Sequence, residues 1–203
     1  MLKTRNFIKT FLFYTLLFAW FLCPNRVSAQ GAFEEFHFAV TGNKLISGGT
    51  ILHSWEPNAG FGFEVNIPYH FGNLEAGYRY VRFDELDFEN SGFHSHFVFG
   101  GWFYRYPASP EVFVVPGIRL GNRFMLHDED MLYGDDYRFS REESEFAFEM
   151  HFRIEYQFSS VAGFYISTSY NRTVFNIPFS SFVGTIGLTA RLDSPDWLKR
   201  FLK

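Results

Sequence analysis

Phe146-Ala-Phe-Glu-Met-His-Phe-Arg-Ile-Glu-Tyr-Gln-Phe158 decides how this chain folds. Phe146, Phe148, Met150, Phe152, Ile154, Tyr156 and Phe158 are apolar or aromatic. Between them stand Ala147, Glu149, His151, Arg153, Glu155 and Gln157. A strand sends successive side chains to opposite faces, so one face is apolar and the other almost wholly polar. A helix would scatter the same residues around its circumference. The stretch is a strand, and the chain is understood once the solvent of each face is known.

Working outward, the same alternation recurs. Phe36–Thr41 is a first strand. Phe61, Phe63, Val65, Ile67 and Tyr69 give a second apolar face, opposite Gly62, Glu64 and Asn66. Phe71-Gly72-Asn73 reads as a tight turn, since Gly and Asn accept positive φ. A third strand sets Leu74, Ala76, Tyr78 and Tyr80 against Glu75, Gly77 and Arg79. In a fourth, Phe93, Phe97, Phe99 and Phe103 form the expected apolar outer face, with His94, His96, Gly100 and Trp102 opposite. A fifth sets Val112, Val114, Pro116, Ile118 and Leu120 against Gly117, Arg119, Gly121 and Arg123, with a bulge expected at Pro116. The opening stretch is the sixth. A seventh sets Phe164, Ile166, Thr168 and Tyr170 against Tyr165, Ser167, Ser169 and Asn171. An eighth sets Phe182, Ile186, Leu188, Ala190 and Leu192 against Thr185, Gly187, Thr189 and Arg191. Connections alternate between short turns and longer segments, the latter near 42–58, 84–91, 126–145 and 172–181. All long loops therefore fall at one end, and the class is an all-β, eight-stranded antiparallel up-and-down barrel.

The ends of the chain differ from its middle. Lys3, Arg5 and Lys9 precede the apolar run Phe11–Leu22, and Val27-Ser28-Ala29 is a small-residue cleavage site. Residues 1–29 read as an export signal cut between Ala29 and Gln30, leaving 30–192 for the barrel and 193–203 for a tail. The segment carries four bases (Lys3, Arg5, Lys9, Arg26) and no acid, so its loss takes the net charge from −4 to −8. It also removes Cys23, the only cysteine, which excludes a disulfide or a thiolate zinc site. Lipid attachment at Cys23 fits poorly, because Leu22 precedes it where a small residue is needed. Such a charge argues against nucleic acid as a partner. In the tail, Ser194 caps and Pro195 opens a short helix with Trp197, Leu198, Phe201 and Leu202 on one side, suited to a headgroup layer.

The run of alternating strands over roughly 33–192 resembles the small eight-stranded outer-membrane β-barrel proteins of bacteria, the class that includes the OmpA-like transmembrane domain. Gly184–Leu192 is similar to their terminal assembly strand, although here the chain continues to Lys203. The resemblance implies an integral cell outer-membrane location, and as partners outer-membrane lipid and the barrel-assembly machinery. It implies no cofactor.

A soluble barrel of the lipocalin type is the rival, with aromatic residues inside around an apolar ligand. Three features favour lipid outside. The apolar faces are long enough to cross a bilayer. Gly62, Gly77, Gly100, Gly117, Gly121 and Gly187 recur on the polar face, where a narrow interior needs small residues. Tyr69, Tyr78, Tyr80, Tyr156 and Tyr170 sit toward strand ends, as an interfacial girdle requires.

With lipid outside, Glu64, Glu75, Arg79, Arg119, Arg123, Glu149, His151, Arg153, Glu155 and Arg191 line the lumen. They form either a polar path or an interlocked ion-pair plug; an eight-stranded interior is just wide enough for side chains to fill, which favours the plug. His94 and His96 are expected as lumen histidines held by hydrogen bonds, since two imidazoles without a third ligand do not specify a metal. Ser95 is expected outside, away from both, which weakens a lipid-deacylating serine site. The segment His127–Glu145 is acidic, with Asp128, Glu129, Asp130, Asp135, Asp136, Glu142, Glu143 and Glu145, but matches no EF-hand. The expected role is structural, adhesive or recognitional, with an extracellular partner through the long loops and no enzyme activity. A narrow solute channel is the alternative; an envelope-lipid enzyme and a soluble apolar-ligand binder follow.

Overall fold

The computed structural model describes residues 33–49, 51–69, 72–86, 91–128, 132–133, 137–138, 141–174 and 179–197. The expected signal segment with its Ala29/Gln30 junction lies outside these residues, as do most of the acidic segment and the tail beyond Trp197.

Eight long strands build the fold: β1 (Glu35–Ser47), β2 (Gly60–Tyr69), β3 (Gly72–Glu85), β4 (Phe93–Phe103), β5 (Val112–His127), β6 (Glu142–Gln157), β7 (Ala162–Thr173) and β8 (Phe179–Asp193). Each pairs antiparallel with its neighbours in sequence; β1 also pairs with β8, and the barrel closes. Partners followed around it from Ile154 run through Ile166, Ile186, Gly42, Phe61, Tyr80, His96 and Phe124 to Ser144. That return lies ten residues from its start, a shear number of 10. With ordinary strand spacing, eight strands at this shear tilt by about 40° and enclose a backbone cylinder of about 8 Å radius. Such a cylinder has no room for a wide channel.

Several strands outrun the sequence reading. β1 continues to Ser47, and the first long connection holds a single helical turn, Ile51–Ser54, and a short strand, Trp55–Pro57, on the end of β3. β5 and β6 reach to His127 and Glu142, so the acidic connection is shorter than expected. Gly72 and Asn73 are not a turn: they pair with Tyr69 and Pro68. Gly72 is small for another reason, because any Cβ there would meet the Trp102 indole. Pro116 causes no bulge; it stays in register with Phe152, just beyond the last β4–β5 pair at Phe103 and Gly117. The one irregularity in the long ladders lies between Leu45 and Ser47 on β1.

Six of the seven strands given faces from sequence carry them as expected. On β6, Phe152 is 46% exposed and Arg153 1% exposed. Val40, Phe61, Phe63, Ile118, Leu120, Ile166 and Leu188 also point outward. An apolar exterior around charged residues is the reverse of a lipocalin, so that reading is overturned. The fourth strand is the correction. Phe93, Phe97, Phe99 and Phe103 are all buried in the lumen, with Ser95 among them. His94, His96 and Gly100 face outward with Val98.

Candidate functional site

Eight of the ten sequence-predicted lumen residues meet in or beside one layer at mid-barrel. Arg119 from β5 is its hub. Its guanidinium donates to Glu64 at 2.8 Å, Glu75 at 2.9 Å and Glu149 at 3.0 Å. Arg79 grips Glu149 with two bonds of 2.7 and 2.9 Å. Arg153 donates to Glu64 at 2.7 Å and lies 3.7 Å from Glu75. Asn171, whose role the sequence did not reveal, donates to Glu149 at 3.2 Å and accepts from Arg123 at 3.0 Å. The planar fork of Arg suits this bridging, and fully buried charges persist only when paired in this way. His151 is buried beside the layer, 3.7 Å from Glu75, where Gly117 leaves room for its ring.

Aromatic rings complete the layer. Arg119 lies 4.5 Å from the Phe99 ring centre and Arg153 4.0 Å from that of Tyr165. Phe97 is flanked by Arg79 and Arg123, at 5.8 and 5.7 Å, and Phe103 lies 5.4 Å from Arg153. This cation–π packing explains why the β4 phenylalanines turn inward. The lumen glycines make space for these rings more than for charged chains: a Cβ at Gly77 would strike Phe99, and one at Gly187 would strike Tyr165.

Glu155 and Arg191 do not join the central layer. Glu155 pairs with Arg105 at 2.7 Å near the short-turn end, and Arg105 also donates to Gln157 at 3.1 Å. Arg191 pairs with Glu35, which also bonds His37 at 2.9 Å. Arg105, Glu35 and His37 were not recognised as lumen partners, because they lie at strand ends where alternation gives little signal. A small pocket opens between His37, Glu155, Gln157, Thr189 and Arg191.

The loop end is closed differently. Leu45, Val81, Phe83, Phe93, Met125 and Val183 fill the lumen there, and Ile51, Leu52 and Trp55 pack against them. Phe83 stacks on Phe93 at 4.5 Å, and the Trp55 indole donates to the Ser91 carbonyl at 2.8 Å. The sequence reading had no such apolar stopper, since it placed Phe93 outside.

No family model and no curated protein matches this sequence. Solved structures do. Neisserial surface protein A aligns over 81% of this chain and 99% of its own, with a TM-score of 0.59 and 14% identity. The fold is that of a small bacterial outer-membrane barrel. Two other outer-membrane barrels overlap less well. The N-terminal barrel of Pseudomonas aeruginosa OprF has a TM-score of 0.49 and 9% identity, over 79% of this chain and 99% of that one. The attachment invasion locus protein of Yersinia pestis has a TM-score of 0.43 and 12% identity, over 78% and 99%.

The outward face holds the remaining candidates. Tyr69 and Tyr156 stand near the short-turn end of the apolar belt; Tyr80 and Tyr170 stand toward the loop end, and Tyr78 is mid-strand. His94 and His96 belong to that upper border. Their Nδ1 atoms are 2.7 Å from the hydroxyls of Tyr80 and Tyr78. The expected placement is therefore reversed on both counts, with the histidines outside and Ser95 inside. Beyond the belt, Arg82 holds Asp128 with bonds of 2.8 and 2.5 Å, and these hold the Asp128 carboxyl below the usual carboxylate range.

Proposed function

We propose that the protein is an integral outer-membrane barrel with a sealed lumen, acting through its outer surface as a structural, adhesive or recognition element. The observation that carries this reading is the double closure: an ion-pair and aromatic layer at mid-barrel, and an apolar stopper above it at the loop end. An ion crossing the barrel would have to break the first layer and then cross a dry one. What varies in such a scaffold is the set of loops on the side that bears the stopper, and partners are sought there. Outer-membrane lipid and the barrel-assembly machinery are the other partners of this reading.

Purified protein in planar bilayers tests it. The expected result is a bilayer with no stepwise conductance. A steady unitary conductance, lost on replacing lumen charges, would transfer the protein to the narrow-channel reading. Membrane fractionation with a heat-modifiability gel tests the location: a folded form in the outer-membrane fraction is expected, and recovery in the soluble fraction would refute it.

A further inference from the structure

We propose that the upper lumen is a binding site for a small monovalent anion, chloride being the plainest candidate, held by Arg123 together with the hydroxyls of Thr173 and Ser181.

The first ground is charge. Around the central layer four buried arginines (Arg79, Arg119, Arg123, Arg153) face three buried glutamates (Glu64, Glu75, Glu149). Those glutamates pair with Arg79, Arg119 and Arg153. No carboxylate pairs with Arg123 among the described residues. Glu145, its partner in register on β6, makes no ion pair with it. Its hydrogen bond goes to the neutral Asn171 oxygen, and its Nε has no partner. A buried cation without a counter-charge is costly enough to recruit one.

The second ground is geometry. On the inner face of β7 and β8, Asn171 pairs with Ser181, and Thr173 with Phe179, so these four residues form the corners of one tile. Arg123 bonds Asn171 at 3.0 Å and its guanidinium carbon lies 5.6 Å from the Phe179 ring centre. It therefore spans one diagonal of the tile. The other diagonal is Thr173 and Ser181, whose hydroxyls are buried and without partners. The Asn171 amide cannot turn to serve them, because its nitrogen is bonded to Glu149. A guanidinium and two unpartnered hydroxyls on one tile, beside the apolar stopper, suit an ion that only accepts hydrogen bonds.

The test uses the full-length mature protein folded into phosphatidylcholine vesicles in the presence of salt, since the closed lumen must load as it folds. Urea unfolding is measured as chloride replaces gluconate at constant ionic strength. The expected result is saturable: at chloride ten times its dissociation constant, the unfolding constant falls about elevenfold. Arg123→Met should abolish the difference between the salts, and Thr173→Val, which keeps the shape and the arginine, should move saturation to higher chloride. Should Arg123→Met fail to fold, Thr173→Val and the wild type carry the comparison. Crystals of protein folded and crystallised in bromide should show an anomalous peak between the Arg123 guanidinium and the two hydroxyls. Identical unfolding of the wild type in both salts, an equal chloride effect in Thr173→Val, or a bromide-free site would each overturn the proposal.

Discussion

Glu149→Gln separates a plug from a wet pore. The Glu149 carboxylate is fully buried and takes two bonds from Arg79, one from Arg119 and one from Asn171. Glutamine removes the charge and presents an amide N–H₂ where arginine donors converge. Arg79 then has no carboxylate among the described residues, and Arg119 keeps Glu64 and Glu75. Breaking a buried pair by removing one partner costs about 3–5 kcal/mol. At about 1.4 kcal/mol per factor of ten, the unfolding constant should rise by two to more than three powers of ten. In a water-filled lumen the same pair would be worth about 0–1 kcal/mol, as on a surface. Equilibrium urea unfolding from vesicles reads the difference directly. The double variant Arg79→Met with Glu149→Leu removes both charges and should be far less destabilised than the two single changes added together. A loss for Glu149→Gln below about 1 kcal/mol, or simple additivity, would refute the closed ionic layer.

Other expectations follow from the same geometry. Phe152→Arg places a cation in lipid near mid-strand and should cost about 2–4 kcal/mol in vesicle unfolding, whereas a harmless arginine there would mean that the outward face is not in hydrocarbon. Replacing residues 129–140 with a Gly-Asn-Gly turn spares the His127–Arg141 backbone bond and the Arg82–Asp128 pair, so folding yield on a heat-modifiability gel should be unchanged. Asp128 has its folded pKa lowered by Arg82, so its contribution is present above the unfolded value and is lost as pH falls through the folded one; amide exchange at His127 and Asp128 should quicken over that acid window, and Asp128→Asn should abolish the change. N-terminal sequencing of the mature protein should begin at Gln30, and a retained Met1 would contradict cleavage after Ala29.

Much of the architecture was legible because period-two alternation is explicit in seven strands. The lumen set followed from it, since Arg and Glu on the face opposite aromatic residues have few other places to go. What alternation could not supply was partnership. Arg153 bonds Glu64, 89 positions away in sequence, and lies 3.7 Å from Glu75. Such pairings depend on shear, which rotates distant strands to the same height and is set by every register at once. Asn171 was placed on the inner face of its strand, yet its bridging of Arg123 and Glu149 was invisible for the same reason.

The reversal of β4 has a sharper cause. Alternation shows that two faces differ; it does not say which one is wet when both carry aromatic rings. On β4 the phenylalanines alternate with His94, His96, Val98 and Trp102, so neither face is plainly polar. The answer lies on the neighbouring strands, because residues in register share a face. Phe97 stands between Arg79 and Arg123, and Phe99 between Gly77 and Gly121. The charge and size of both flanking sets place them in the lumen, and the phenylalanines between them follow. The β3–β4 connection is a long loop that gives no register from sequence, but β4 and β5 are joined by a short one braced by Tyr106–Pro107 pairing back onto Val114 and Phe113. A hairpin that tight transmits parity. Carrying the inward face of Arg119 and Arg123 back through it, rather than weighing β4 alone, would have put its four phenylalanines beside the arginines they pack against.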